Sequence, residues 1–247
     1  MAMAAPLAMI TGRTRTAMIT GMTMGTITGM TTTIMTTPET ARLQLAQWLS
    51  PAFPVGGFAW SQGLEHAMDQ GVVTRTTLPR WLSDWLDHGA GWTDAVLVAL
   101  ALSPDADHDA LDDLARAACL TSERLSETVE QGTAFAANVT ALTGRDQRPA
   151  ALPVAFGRAC AAMPLPAPEI IAAFLLAQVQ AQISAAIRFM PLGPVQGQAM
   201  LAGLHPAILA CAHRAATATS GDLASATWGA DIAQMRHETM TTRIFRS

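Results

Sequence analysis

The sequence predicts an all-α fold, a single-domain bundle of roughly eight to ten helices in which β-structure is minor or absent. From Pro38 onward, apolar residues recur almost throughout at the three- and four-residue spacing of one helix face. We find no segment with the apolar–polar alternation of a half-buried strand. Half of the 247 residues are hydrophobic, which is enough to build a sizeable core.

The first helices are marked by their boundaries. A helix is expected to end near Leu49, because prolines 51 and 54 fix φ and remove amide donors. Ser61 stands where the next helix can begin, since apolar residues follow it at helical spacing. Thr77 is a plausible cap for a third helix, and Pro79 falls in the first turn of that helix.

The second half of the chain continues the helical pattern. Residues 92–102 and 110–120 form two predicted helices, and the next carries a regular apolar stripe: Leu125, Val129, Gly132, Phe135, Val139 and Leu142. The longest predicted helix covers residues 168–190 and is apolar on nearly every side, so it is either buried or membrane-spanning. Its three glutamines and Arg188 break the apolar run and favour burial. Pro194, His205-Pro206 and Gly221 are predicted helix boundaries.

Composition restricts the function. The net charge of −4 gives no reason to expect nucleic-acid or anionic-membrane binding, and charged residues are only 14% of the chain. Lysine is absent, and all 15 basic residues are arginine. This excludes a phosphate-binding P-loop lysine and a Schiff base, whereas arginine suits positional, bidentate contacts.

We expect two regions. Residues 1–37 form a Met/Thr/Gly-rich tract without a sustained period and are predicted to be a disordered extension. Residues 38–247 form the helical domain, which ends in an interaction tail. The three cysteines are far apart, so neither a disulfide framework nor a paired-cysteine zinc site is indicated, and a reducing cytoplasm is the expected location.

Candidate chemistry is sparse. The six histidines include no pair at i, i+4, so we predict neither a metal site nor a cofactor. Glu123, Glu127 and Glu130 share one helical face and are expected to point outward as a solvated acidic ridge, or alternatively as a ridge that faces a partner. The chain has no Gly-x-Ser-x-Gly elbow and no nucleotide-binding fingerprint, so we predict no catalytic residues and no binding of GTP.

Two segments have the composition of interaction surfaces. The loop that begins at Ser50 interleaves Phe53 and Trp60 with prolines and glycines, and we expect both aromatic side chains to form a protein-facing surface. At the other end, arginines flank apolar residues, as in interaction hot spots. If the last helix continues, Arg236, Met240 and Arg243 occupy one face of it.

Three segments resemble the UreF family of urease accessory proteins, in the order of that family. They read SPAFPVGGFAWSQGLE from residue 50, RFMPLGPVQGQ from residue 188 and MRHETMTTRIFRS from residue 235. The departures are modest: Ala59 and Trp60 replace a small polar residue and a tyrosine, and Arg188 stands where lysine is common. The resemblance covers roughly everything after residue 40.

The resemblance implies a cytoplasmic, non-catalytic scaffold or regulator of urease maturation. Such a protein binds UreD (also called UreH) and the GTPase UreG, is commonly a homodimer within the complex, and supports GTP-dependent nickel insertion into apo-urease. The predicted partner-binding residues are Phe53, Trp60, Gln62, Glu65, Arg188, Arg236, His237, Glu238, Arg243, Phe245 and Arg246. Two alternatives stay open: a GTPase-activating role in which Arg188, Arg236 or Arg243 acts on UreG, and a direct nickel chaperone.

We predict that the extension is dispensable for folding, because it shows no packing period. A truncated chain that begins at Pro38 should keep the helical circular dichroism and the cooperative thermal melting of the full chain. Loss of either property would show that residues 1–37 are part of the fold.

Overall fold

The computed structural model describes residues 37–247, and the predicted extension lies outside the described residues except for Thr37. The described part contains ten α-helices and no strand, which confirms the all-α prediction. The α-helices are α1 (Pro38–Trp48), α2 (Leu64–Asp69), α3 (Leu78–His88), α4 (Ala90–Ala101), α5 (His108–Ala117), α6 (Ser122–Thr143), α7 (Leu152–Cys160), α8 (Ala167–Phe189), α9 (Pro194–Ala215) and α10 (Trp228–His237). Two short 3₁₀ turns cover Gly57–Ala59 and Ser220–Asp222.

Local signals place most of the helix ends. Proline lies in the first turn of α1, α3, α7, α8 and α9, where its missing amide has no intrahelical partner to lose. The hydroxyl of Thr37 caps α1 by accepting from the amide of Thr40 at 3.3 Å. Thr77 precedes α3 as predicted, but its hydroxyl donates to the carbonyl of Val72 instead of capping the helix.

The core is one continuous cluster, built around α4 and α8 and covered by the remaining helices. A row of phenylalanine rings crosses it from α6 through α7 to α8. The ring centroids of Phe135 and Phe156 are 5.7 Å apart, and those of Phe156 and Phe174 are 5.1 Å apart. Such tilted pairs stabilise beyond the area they bury. The row fixes the positions of the three helices that surround the sites described below.

Helix α8 is the longest helix, as predicted. By length and composition it is the one helix of residues 37–247 that could cross a membrane. Half of its most apolar window is buried by the rest of the fold, and it packs chiefly against α9. This packing is that of a central core helix.

Three local expectations are wrong. Pro206 does not mark a boundary, because α9 continues through it and loses only the one amide hydrogen bond that proline cannot make. Leu125 and Leu142 are 37% and 57% exposed, since the buried face of α6 is rotated toward residues 124, 128, 131 and 135. The last helix ends at His237, so Met240 and Arg243 do not extend the helical face of Arg236.

Helix α6 approaches closely the segment that leads into α7. A Cβ atom built on Gly132 would lie 2.0 Å from the carbonyl oxygen of Ala150 and 2.6 Å from the amide nitrogen of Leu152. Both atoms belong to the backbone and cannot rotate away. Gly132 is therefore required by the packing of these two elements.

We predict that Gly132→Ala lowers the free energy of unfolding by about 2 kcal/mol or more, because the added methyl group overlaps backbone atoms. Gly203→Ala in α9 is the matched control, since nothing lies within 4 Å of its added Cβ. The control should raise stability by up to about 1 kcal/mol through helix propensity. Urea unfolding of both variants measures the difference, and equal effects would contradict the close approach.

Candidate partner-binding site at the C-terminal tail

The loop of residues 50–63, here called the Pro-Gly loop, folds its aromatic residues inward. Phe53 and Trp60 are only 8% and 5% exposed, so the expectation that they form a surface is wrong for this chain by itself. Phe53 packs on Phe135 of α6, with 5.7 Å between ring centroids. The aromatic side chain that the loop does expose is Phe58, at 60%. Contacts of Phe53 and Trp60 with a partner remain a prediction.

The end of the loop has an unusual backbone. Gln62 has a φ of 53°, in the left-handed region that a residue with a Cβ rarely adopts. Gly63 follows with a φ of 75°, and a Cβ there would lie 2.5 Å from the amide nitrogen of Gln234 in α10. These two residues turn the chain sharply into α2 and let α10 approach. A strained residue held in this way points to a site over-determined by its surroundings.

The tail, residues 238–247, returns to this turn. The amide of Ser61 donates to the carbonyl oxygen of Ser247 at 2.8 Å, and the amide of Gln62 donates to the Ser247 hydroxyl at 3.2 Å. The Ser61 hydroxyl donates to the same carbonyl. One residue earlier, the amide of Arg246 donates to the carbonyl of Ala59 at 2.7 Å. The chain end is therefore paired, main chain to main chain, with the Pro-Gly loop.

Glu65 of α2 holds the middle of the tail. Its carboxylate is 1% exposed and accepts from the amide of Ile244 at 2.6 Å and from the amide of Phe245 at 2.9 Å. The Phe245 ring is 2% exposed. Hydrogen bonds to an ionised acceptor are the strong ones, and removing the acceptor leaves buried donors unpaired.

His237 lies between two carboxylates. Its Nε2 is 3.0 Å from Glu65 Oε2, and its Nδ1 is 2.7 Å from Glu123 Oε2. Because an ionised carboxylate can only accept, both hydrogen bonds form when both ring nitrogens carry hydrogen. His237 is fully buried, so the last residue of α10 joins α2 to the first turn of α6.

The expectation that the three glutamates of α6 point outward as a solvated ridge is wrong for Glu123 and Glu127, whose side chains are 14% and 4% exposed, whereas Glu130 is 49% exposed. Glu123 also accepts from Arg243, and Glu130 accepts from both terminal nitrogens of Arg246 at 2.6 and 2.8 Å. The hydrogen bond from Arg246 lowers the pKa of Glu130. Glu123 and Glu130 therefore face the tail of the same chain, and a ridge that faces another protein remains a prediction.

Glu238 pairs with the start of α6. Its Oε1 accepts from the Ser122 hydroxyl at 2.6 Å, from the Ser122 amide at 2.7 Å and from the Glu123 amide at 3.3 Å. The Ser122 hydroxyl is the main cause of a lowered pKa at Glu238, and the two amides add to it. An anion at a helix N-terminus satisfies amides without intrahelical partners and interacts favourably with the helix dipole.

The third glutamate, Glu127, is 3% exposed and belongs to a buried cluster with Arg124 and Asp94. Burial raises the pKa of both carboxyl groups, and Arg124 opposes these shifts by Coulomb attraction. Burial by itself would lower the pKa of Arg124, but the two carboxylates outweigh it and raise that pKa. Arg124 Nη2 lies 2.6 Å from Asp94 Oδ2, so this pair joins α6 to α4.

Arg188, at the end of α8, connects α8 to the Pro-Gly loop and to the tail. Its Nη1 donates to the carbonyl of Phe58 at 2.7 Å, and its guanidinium carbon lies 4.5 Å from the centroid of the Phe245 ring. Arg246 makes the equivalent contact with Trp60 at 4.2 Å. Burial lowers the pKa of Arg188.

The structure therefore brings together nine of the eleven predicted site residues, whereas Phe53 packs on α6 and Arg236 is exposed beside the tail. Sequence reasoning missed Ser61, Ser122 and Ser247 and assigned the glutamates of α6 to solvent. One feature of the sequence could have indicated these contacts: the tail carries arginines, and α6 carries carboxylates that can pair with them. Among residues 37–247 no group of three or more His, Cys, Asp or Glu side chains is arranged to hold a metal ion.

We predict that Glu65→Gln releases the tail, because an amide cannot accept from two backbone donors and His237 as a carboxylate does. The free energy of unfolding should fall by about 2 kcal/mol, and amide hydrogen exchange at Ile244 and Phe245 should accelerate. The matched control is Glu130→Gln, which removes an exposed ion pair and should cost less than about 1 kcal/mol. Equal effects of the two substitutions would contradict the central role of Glu65.

The chain is similar to known proteins along most of its length. The sequence model of the family UreF matches residues 72–205. The urease accessory protein UreF of Paracoccus denitrificans (strain Pd 1222) is 75% identical over 211 residues, which are 85% of this chain and 98% of that protein. UreF of Cereibacter sphaeroides (strain ATCC 17029 / ATH 2.4.9) is 52% identical over 84% of this chain and 99% of its own length. UreF of Jannaschia sp. (strain CCS1) is 42% identical over 83% and 94%, respectively. The chain belongs to the UreF family of urease accessory proteins.

Proposed function

We propose that this chain is a non-catalytic scaffold or regulator of urease maturation that binds UreD (UreH) and the GTPase UreG. Through these contacts it would support GTP-dependent nickel insertion into apo-urease, in the cytoplasm and as a homodimer within the complex. The observation that carries the proposal is the convergence of the Pro-Gly loop, Arg188 and the tail on one surface. The loop precedes both Arg188 and the tail by more than 100 positions in the sequence, and direct hydrogen bonds connect it to each of them.

The exposed part of this surface has the composition of an interaction hot spot. Phe58 and Ile244 are 60% and 65% exposed, and the side chains of Arg243 and Arg246 are 41% and 54% exposed. Apolar groups beside arginines are enriched where partners bind tightly. The hydrogen bonds beneath them fix the tail before binding, which lowers the entropy lost on association.

The binding test uses an exposed residue, because truncation of the tail would also remove the buried Phe245 and Ser247. Ile244→Ser should weaken capture of UreD, UreG or both about tenfold, as loss of one hot-spot side chain does. The melting temperature should stay nearly unchanged, since the side chain is exposed. Co-purification from cells that express the urease maturation proteins, together with urease activity in those cells, measures the outcome.

Leu142→Ser at the far end of α6 is the matched control, because Leu142 is 57% exposed and lies away from the tail. It should leave capture and urease activation unchanged. Normal capture and full urease activation by the Ile244→Ser chain would rule out the tail surface as the partner-binding site.

A GTPase-activating role is the second candidate, and one observation favours a particular arginine for it. Arg236 is exposed next to the tail and makes no ion pair with any residue from 37 to 247, whereas Arg243 and Arg246 are paired with glutamates. An arginine supplied in this way can accelerate GTP hydrolysis roughly 10³-fold or more. Turnover of GTP by UreG, measured with this chain and with its Arg236→Ala variant, separates the two candidates.

A further inference from the structure

A cleft lies between the Pro-Gly loop and helices α6, α7 and α8, on the inner side of the loop. Its volume is about 620 Å³, within the range typical of small-ligand sites. The walls are mainly aromatic and aliphatic: Trp48, Phe53, Phe135, Phe156, Phe174 and Ile183. Such walls suit an apolar group of the size of a phenyl ring or larger.

One end of the cleft is polar, but the charge of Glu127 at this end is already balanced by other residues of the chain. Glu127 Oε1 accepts from Gln62 Nε2 at 3.1 Å and from Gln131 Nε2 at 3.3 Å. Gln62 in turn accepts from the indole nitrogen of Trp85 at 3.1 Å. Glu127 Oε2 is 3.2 Å from Arg124 Nη1, although it makes no aligned hydrogen bond with the described residues. A molecule that binds in the cleft therefore needs no charged group to balance Glu127.

Two glutamine carboxamides on the α8 wall are free to bind another molecule. Gln178 and Gln182 line the cleft four residues apart, which places them on one face of the helix. Gln182 is only 6% exposed, yet no residue in the range 37–247 makes a hydrogen bond with either side chain. Their polar atoms are accessible from the cleft, since Glu127 Oε2 is the one side-chain nitrogen or oxygen of residues 37–247 that is fully buried without a partner. Both carboxamides can therefore pair with water or with a bound molecule. Since a carboxamide both donates and accepts, its natural complement is another amide.

We propose that this cleft binds an aromatic group that carries a neutral amide. The ring would occupy the aromatic walls, and the amide would pair with Gln182 and Gln178. This chemistry has two sources: a small aromatic amide, or an aromatic side chain flanked by the peptide bonds of a polypeptide. The proposal is tested separately from the tail surface, because the pairing residues are on α8 and make no hydrogen bond with residues 238–247, although Phe58, Trp60 and Arg188 also line the cleft.

The experiment measures binding to the full chain by saturation-transfer NMR with three probes. These are 3-phenylpropanamide, which has one primary amide, N-acetylphenylalanine amide, which has two peptide amides, and toluene, which has none. Both amides should bind more tightly than toluene. Tighter binding of N-acetylphenylalanine amide identifies the peptide source, and equal or tighter binding of 3-phenylpropanamide identifies the small amide.

Variants test the pairing. Gln182→Leu should weaken binding of the amides about fivefold, the effect of one hydrogen bond, without weakening binding of toluene. The matched control is Gln47→Leu on α1, at an exposed position outside the cleft, which should change nothing. Ala181→Phe should fill the cleft and abolish binding of all three probes, and its melting temperature shows whether it is folded.

Two results would overturn the proposal. The first is failure of both amides to bind the unmodified chain. The second is that toluene and the amides bind with equal affinity and that Gln182→Leu leaves these affinities unchanged. The cleft would then bind apolar groups without recognising an amide. Partner capture by the Ile244→Ser chain is independent of both results, so failure here and failure of the tail surface are distinguishable.

Discussion

The arrangement of the functional surface depends on one buried carboxylate. Glu65 accepts hydrogen bonds from His237, at the end of α10, and from two amides of the tail, which has no helix or strand to hold it. Removing a carboxylate from water costs free energy, and this cost is offset only where every strong acceptor position is filled. The tail therefore adopts a defined path without forming a helix or strand, because its backbone donors are paired with a side chain on α2.

Helix α6 supplies the second half of this arrangement. Its first-turn amides donate to the carboxylate of Glu238, and its side chains at positions 123 and 130 pair with arginines of the tail. These contacts extend along about two turns of one helix face. Their strengths differ, since Glu123 is 14% exposed and Glu130 is 49% exposed, and exposed ion pairs contribute little. The start of the tail is thus held firmly, while Arg246 can exchange its partner at small cost.

The sequence was sufficient to predict the helices, because periodic apolar spacing and proline positions are local signals. The path of the tail was not predictable in the same way. Contacts such as Glu65 with Ile244 and Phe245 join residues 179 and 180 positions apart, and no local pattern encodes them. The glutamates of α6 show the same limit: their spacing was visible, but placing them correctly required knowing that the stripe of Leu125 and Leu142 is not the buried face. The buried position of Trp60 was missed because a loop rich in proline and glycine was expected to stay at the surface, whereas the tail covers it.

The arginines at this surface make contacts that a lysine could not make. Arg246 pairs with Glu130 through two nitrogens while the flat face of its guanidinium lies over Trp60. Arg188 likewise donates to the Phe58 carbonyl and lies over Phe245. A planar guanidinium donates hydrogen bonds in its plane and stacks through its faces, whereas an ammonium group cannot make both contacts with a fixed orientation. Each arginine therefore ties a main-chain or carboxylate acceptor to an aromatic ring on a different segment. Through these pairs the end of α8 holds the loop and the tail, which have little regular secondary structure of their own, in one surface.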